Sequence, residues 1–442
     1  MAIESSIMVL LSPFSATGYS SRWLGNGWPK PTRGGGPMKA KWSIWLALFA
    51  VFALVAAACG DDDDASSSGP IKIGVLNPTT SFLATLGLDG NAGIEYYFNT
   101  EVGGEIAGRP IELVIEDTAA DPVLALTKAQ KLVERDNVDI ILGPLDTPEG
   151  LAVRDYIQDQ GVPWVLHVGA GWAPDNLSER GPYSFMVAPT NPQQHFAMAE
   201  YAYDEMGYRS MIVSALDYEP GQEIAAGFKE AFEAKGGTIV DTVLIPLGAA
   251  DTAPYITQML DQADEADAVN AALWAPAAIG FVNEGRELGL FDAIDVMGFH
   301  TLSPDLLDLE EQGENALGIT TYYWYMLYND YPANQEWVES FTEATGNSPN
   351  VWTAFGYMGA KAIGEAIEGA DGDVSPDAFA DAMYNVSFDS PAGPFEMDEH
   401  GQGVHTVWIA EVESVDGDVR NIVKDSIPDV DQFYGGFISP PS

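Results

Sequence analysis

The sequence predicts an α/β protein made of two doubly wound parallel-sheet lobes, and three observations predict it. Short β-branched runs alternate with amphipathic helical stretches, as βαβ crossovers require. That alternation breaks off and restarts near residue 210, so two such units stand in tandem. The length of 442 residues, 46% of them hydrophobic, suits two units at ~100–200 residues each.

Residues 1–37 carry Gly34-Gly35-Gly36 and several prolines with no apolar period, and read as an extension ahead of a start at Met38. Residues 38–58 begin with basic Met38-Lys39-Ala40-Lys41 and run uncharged from Trp42 to Ala58. A basic head, an apolar stretch and small residues form a secretory signal. The lone cysteine, Cys59, follows Ala57-Ala58 directly and resembles the lipobox cysteine of bacterial lipoproteins, whose thiol is lipidated. Ala56 stands where that motif usually has Leu. A membrane-spanning helix is the alternative, at the lower limit of ~18 residues, but it leaves Cys59 unexplained. Residues 59–70, with Asp61 to Asp64 and Ser66 to Ser68, read as a solvated tether.

The folded body opens with a strand at Ile71 to Leu76 and a helix at Gly87 to Glu101. Strands at Pro110 to Ile115, Val138 to Leu142 and Pro163 to Leu166 follow, with helices at Val123 to Arg135 and Gly150 to Gln160 between them. The second unit reads as strands at Ser210 to Val213, Thr238 to Ile245, Ala268 to Trp274 and Ala293 to Phe299. Its helices are Gln222 to Ala234, Ala253 to Ala263 and Pro276 to Leu288.

Composition removes whole classes of function. Asp and Glu number 66 against 19 Lys and Arg, a net charge of −47, so phosphate backbones are repelled and nucleic acid is excluded as a partner. One cysteine excludes a disulfide scaffold, a Cys-rich zinc site and an iron–sulfur cluster. There is no Gly-x-Ser-x-Gly elbow, no phosphate-binding Gly-rich loop and no His-Glu-x-x-His, so no catalytic residue, metal or cofactor is expected. Asp371, Asp373, Ser375 and Asp377 are spaced like a calcium loop, but Pro376 replaces its glycine and Ala382 its last ligand.

Ordered motifs then carry a resemblance. They are Ile71 to Leu76, Gly103-Gly104-Glu105-Ile106-Ala107-Gly108-Arg109-Pro110-Ile111-Glu112-Leu113, Glu116-Asp117, Ile140 to Pro144 and Gly161-Val162-Pro163 in the first unit. Asp217-Tyr218 with Gly221, and Gly227-Phe228-Lys229 through Gly236-Gly237, continue them in the second. From about residue 70 to 415 the chain resembles the extracytoplasmic solute-binding proteins of ABC transporters, of the branched-chain amino acid/amide type. The resemblance implies two lobes joined by three crossover strands that close on a solute by a hinge. Crossovers fit Ser184 to Pro189, Leu317 to Tyr322 and Phe388 to Phe395. The implied division is 71–187 and 322–388 for the first lobe, with helices at Gln335 to Thr345 and Val351 to Ile367. The second lobe takes 188–321 and 389–442, including a strand at Thr406 to Val412 and the C-terminal tail.

Ligands bind beyond the carboxyl ends of such strands, and the candidates come from there. Thr147-Pro148 reads as an N-cap followed by the first helical residue; the resemblance gives its hydroxyl a ligand role, though Asp146 beside it suits no simple carboxylate. Gly169 and Ala170 allow close backbone approach, where relatives also offer a hydroxyl. Tyr218 and Trp274 are placed to cover a ligand. His300 stands where the resemblance implies a carboxylate in members that bind amino acids, and an imidazole replaces that group poorly. It is expected to set selectivity away from an unmodified α-amino acid. Within Tyr322-Tyr323-Trp324-Tyr325, strand alternation would bury one pair and expose the other, and Tyr323 is the candidate to face the ligand.

The reading is a monomeric, lipid-anchored receptor outside the membrane that hands an amino acid, amide or aromatic or aliphatic acid to ABC permease subunits. The membrane is touched through the N-terminal anchor only, and the chain is not an enzyme. The alternatives are a sensing module of a signalling system and an extracytoplasmic hydrolase.

Overall fold

The structure is a computed structural model that describes residues 69–168, 181–249, 251–274 and 276–437. The signal segment, Cys59, most of the tether, Gly169 and Ala170 lie outside the described residues.

The first sheet holds β1 (Ile71–Asn77), β2 (Glu105–Ile106), β3 (Arg109–Asp117), β4 (Ile140–Leu142), β5 (Trp164–Leu166) and β6 (Ser184–Met186), in the order β2-β3-β1-β4-β5-β6. Every pairing is parallel except the β2–β3 hairpin. Helices α1 (Ala84–Glu95), α2 (Pro122–Lys131) and α3 (Thr147–Gln160) connect the strands. The start of α2 is fixed by Asp121, whose carboxylate accepts from the Val123 and Leu124 amides, with Pro122 next. Both α1 and α2 run on into a π-helical turn, Tyr96–Glu101 and Leu132–Asp136. One face packs Leu76, Ile141 and Trp164 on Ala125, Ala129 and Val153 of α2 and α3. Burial on both faces is why these strands read as near-continuous apolar runs.

The second sheet is made of β7 (Ser210–Leu216), β8 (Thr238–Ile245), β9 (Ala268–Ala272), β10 (Asp295–Phe299), β11 (Thr320–Tyr323), β12 (Ser387–Ser390), β13 (Gly393–Met397), β14 (Gly403–Val415) and β15 (Asp418–Val430). Its order is β12-β13-β14-β11-β10-β9-β7-β8, with β15 also antiparallel to β14. Between its strands lie α4 (Gln193–Asp204), α5 (Glu219–Ala234), α6 (Ala253–Leu260), α7 (Pro276–Leu288), α8 (Leu290–Ala293) and α9 (Asp308–Gln312). Then α10 (Pro332–Thr345), α11 (Val351–Gly369) and α12 (Pro376–Met383) follow, and α11 packs along α1 of the first sheet. A capping box between Asn350 and Thr353 sets the first turn of α11.

The α/β architecture with two doubly wound sheets agrees with the sequence reading. Four details differ, each for a local reason. Asp146, not Thr147, is the N-cap residue of α3, so Thr147 is the first helical residue. Residues 388–395 are not one crossover strand: the Pro391-Ala392 turn folds them back, pairing Phe388 with Phe395 across β12 and β13. Tyr322, Tyr323, Trp324 and Tyr325 are all buried, because β11 lies between β10 and β14 and its exit runs on under α10 and α11. The helix from Ala253 stops at Leu260 instead of Ala263.

The first and third passages between the sheets are tied side by side. The Met186 amide donates to the Gly401 carbonyl at 2.8 Å. Gln402 Nε2 donates to the Ala188 carbonyl at 2.7 Å, and His405 Nε2 lies 2.7 Å from the Val187 carbonyl.

Candidate functional site

A parallel sheet offers its ligand crevice where neighbouring strands send their connections to opposite faces. In the first sheet that point lies between β1 and β4, and in the second between β7 and β9. Leu145, Asp146 and Thr147 follow β4, Tyr218 follows β7, and Trp274 follows β9. All five line one cavity, whose empty volume is about 620 Å³ counting the part open to solvent.

The walls are largely apolar and aromatic. Leu83 just before α1, Leu86 within it, and Trp352 and Phe355 of α11 form the side belonging to the first sheet. Tyr323 and Phe299, the last residues of β11 and β10, and Thr301 just beyond β10 form part of the other. Asn191 and Gln194 add polar groups at the start of α4. The Tyr218 and Trp274 rings meet edge-on with centroids 5.6 Å apart. A hydrogen bond joins the two side chains, and burial with the nearby Asp146 charge pushes the Tyr218 phenol well above its ordinary pKa.

Thr147, Tyr218, Trp274 and Tyr323 are therefore brought together as their positions suggested. His300 is not among the cavity-lining residues. It sits in a 3₁₀ turn, buried, with its ring 6.0 Å from that of Tyr323, while its neighbours Phe299 and Thr301 face the cavity. Burial drives its pKa down to about 3, so the ring is neutral. Gly169 and Ala170 fall outside the described residues, although Val168 just before them lines the cavity. Asp146, Trp352 and Phe355 are lining residues that sequence reasoning did not select. The signal for Asp146 was its place directly before a Thr-Pro helix start.

Two carboxyls at the start of α3 have unusual environments. Burial pushes Asp146 up to about 6; the Thr147 amide opposes the shift and the Glu219 charge adds to it. Glu149 is fully buried and neither of its carboxylate oxygens completes a hydrogen bond. Burial pushes it up to about 7, with the Thr118 hydroxyl opposing the shift and the Asp146 charge adding to it. A raised folded pKa means the folded state holds the proton that the unfolded chain releases above about 4.5, so stability is lost as pH rises towards 7. Replacing Glu149 by Gln is expected to leave stability unchanged below pH 4.5 and to raise it by about 3 kcal/mol at pH 8. Urea unfolding of both proteins at the two pH values checks this; an equal effect at both would disprove it.

Behind the cavity, His195 Nδ1 lies 2.7 Å from the Tyr322 hydroxyl, which donates to Asn270 Oδ1 at 3.2 Å. The His195 ring packs 4.8 Å from Phe299 and supports that wall. Among the described residues, no group of three or more His, Cys, Asp or Glu could hold a metal ion, and no helix is long and apolar enough to cross a membrane.

Comparison with known proteins places these features in context. A family model described as periplasmic binding protein matches residues 70–418. A Leu/Ile/Val-binding protein homologue from Brucella suis is 29% identical over 382 residues, covering 84% of this chain and 93% of the relative. An ABC transporter substrate-binding protein from Sphaerobacter thermophilus is similar in structure with a TM-score of 0.78 and 36% identity, covering 82% of this chain and 99% of that one. A solute-binding protein of an ABC transporter from Rhodopseudomonas palustris, in complex with 3,4-dihydroxybenzoic acid, gives a TM-score of 0.75 and 30% identity, covering 82% and 98%.

Proposed function

The chain belongs to the periplasmic binding protein family, and from that premise we propose that it captures a small solute with an apolar, ring-sized body outside the membrane and delivers it to an ABC permease. The observation that carries this is the cavity itself. The carboxyl ends of two sheets face one space, and six of its walls are aromatic: Tyr218, Trp274, Phe299, Tyr323, Trp352 and Phe355. Flat rings gain from such walls by stacking and edge contacts. The benzoate-type ligand held by the Rhodopseudomonas relative supports a ring-sized solute, and the Brucella relative keeps branched aliphatic amino acids in view.

In this reading Thr147 at the first turn of α3 fixes a polar group of the solute, while Tyr218 and Trp274 cover it. Tyr323 forms the floor. Closure of the two lobes is the mechanism, and no bond is made or broken. Cys59 carries the lipid anchor that holds the body at the cell surface, and the acidic tether gives it reach.

The test is a panel of branched-chain amino acids, benzoates, amides and aromatic amines, read by thermal unfolding and small-angle scattering. A true solute present at 100 times its dissociation constant adds roughly 2.7 kcal/mol and reduces the radius of gyration. A panel that produces neither stabilisation nor compaction sinks the proposal.

A further inference from the structure

Resting on the solute-binding reading, we infer that the cavity is built for an organic cation: an ammonium group set against Asp146 and the aromatic faces, on an apolar body.

The charge of the walls comes first. Among the described residues that line the cavity, Asp146 is the acidic one, and none is Lys, Arg or His. The upward pKa of Asp146 says the same thing physically, because no positive charge of the protein offsets its burial. An ammonium group beside it would supply that charge. A solute carboxylate would add a second negative charge to a space of low dielectric, which is costly.

Helix starts usually favour anions, and two of them open here, at α3 and α5. Both have the chain's own carboxyls beside them. Asp146 is the N-cap residue of α3, Glu149 stands in its first turn, and Glu219 is the first residue of α5. The two groups couple across the space, since Glu219 raises the pKa of Asp146 and Asp146 that of Tyr218.

The aromatic walls point the same way. The face of an indole, phenol or phenyl ring is negative, and a cation within ~6 Å of its centre is attracted by about 0.5–2 kcal/mol. Tyr218, Trp274, Tyr323 and Phe355 surround the space on which Asp146 opens. A carboxylate combined with several aromatic faces recognises an ammonium through both charge and quadrupole.

The space adjoining the cavity carries the same sign of charge. A second space of about 1010 Å³, including open solvent, shares Leu86, Trp274, Thr301 and Trp352 with the cavity. Asp308, Glu310 and Glu311 lie on its walls, and none of its described lining residues is basic. A cleft lined by one sign of charge concentrates ligands of the other sign and speeds their capture.

Four probes of similar size separate the contributions: benzylamine, benzyltrimethylammonium, benzyl alcohol and benzoate, titrated calorimetrically into the full chain at pH 7.5. Both cations are expected to bind about tenfold or more tightly than benzyl alcohol, with benzoate weakest. In Asp146→Asn, benzylamine should lose about tenfold while benzyl alcohol stays within about twofold and benzoate gains. The wild-type ranking needs no variant, so the inference stays testable if Asp146→Asn folds poorly. Tighter binding of benzoate than of benzylamine to the wild type overturns the inference and leaves the solute-binding reading standing. Failure of all four to bind also overturns it; the reading itself falls only if the wider panel gives no closure either.

Discussion

Gly356→Ala is expected to destabilise the protein by about 3 kcal/mol or more, at the upper end for an overpacked contact. A Cβ on residue 356 would lie 1.9 Å from the Gly90 carbonyl oxygen, where α11 crosses α1. The obstacle is backbone, which cannot rotate away as a side chain can. Gly93 makes the reciprocal contact, 2.1 Å from the Thr353 carbonyl oxygen, so Gly93→Ala should be comparably severe. Gly90→Ala is the internal control. Its Cβ would meet nothing nearer than 3.6 Å, so the higher helix propensity of Ala should leave stability level or raise it by up to about 1 kcal/mol. Urea midpoints for the three variants decide the matter. Equal effects at Gly90 and Gly356 would show that close backbone approach does not govern this pair. The same helices carry Leu83, Leu86, Trp352 and Phe355 to the cavity, so spreading them should also weaken solute binding.

That crossing illustrates what could be read in advance. The helical stretch beginning near Gly87 was legible from the spacing of Ile94, Tyr97 and Phe98, whereas the one from Val351, buried without a break from Val351 to Ala360, was placed by the family resemblance. Strands buried on both faces were legible as well: Ile71, Ile73, Val75 and Leu76 are apolar throughout because helices cover both sides. Two elements left no such signal. Residues 193–199 of α4 are buried in succession, polar Gln193, Gln194 and His195 included, so no stripe marks the helix. Strand β15 rests on β14 with most of its residues exposed or half-buried, and its run of Asp, Lys and Ser reads as a tail.

The site divides in the same manner. Position beyond a strand end is a topological fact, and it placed Tyr218, Trp274 and Thr147 at the cavity. Direction within a turn is set by local dihedrals. At the end of β10 the chain enters a 3₁₀ turn that sends His300 inward and presents Thr301 instead. It is therefore Asp146, one residue before the Thr147 that drew attention, and not His300 that lines the cavity. Deep burial, with pKa values near 3 for His167, His195 and His405 as well, makes these histidines parts of the neutral interior.

Trp274→Ala should weaken solute binding by about 30- to 100-fold, roughly 2–3 kcal/mol, while changing folding stability by less than about 1 kcal/mol. The asymmetry follows from where the indole sits. It is half-buried beyond the end of β9 and packs on the rims of two core clusters without being part of either. Yet it is shared by the inner cavity and the outer space, and its edge contact and hydrogen bond hold Tyr218 over the cavity. Removing it takes away a stacking surface, loosens Tyr218 and joins the two spaces, so water reaches Asp146. Dispersion, orientation and desolvation are thus lost together, which is why the effect exceeds that of one aromatic contact. Tyr218→Phe keeps the ring and removes only the hydroxyl, and should cost no more than about threefold unless the solute bonds that oxygen. Calorimetric titration with the best solute, paired with melting curves, separates the two effects. Unchanged affinity in Trp274→Ala would remove the covering role of this residue, and a matching fall in stability would assign it to the core instead.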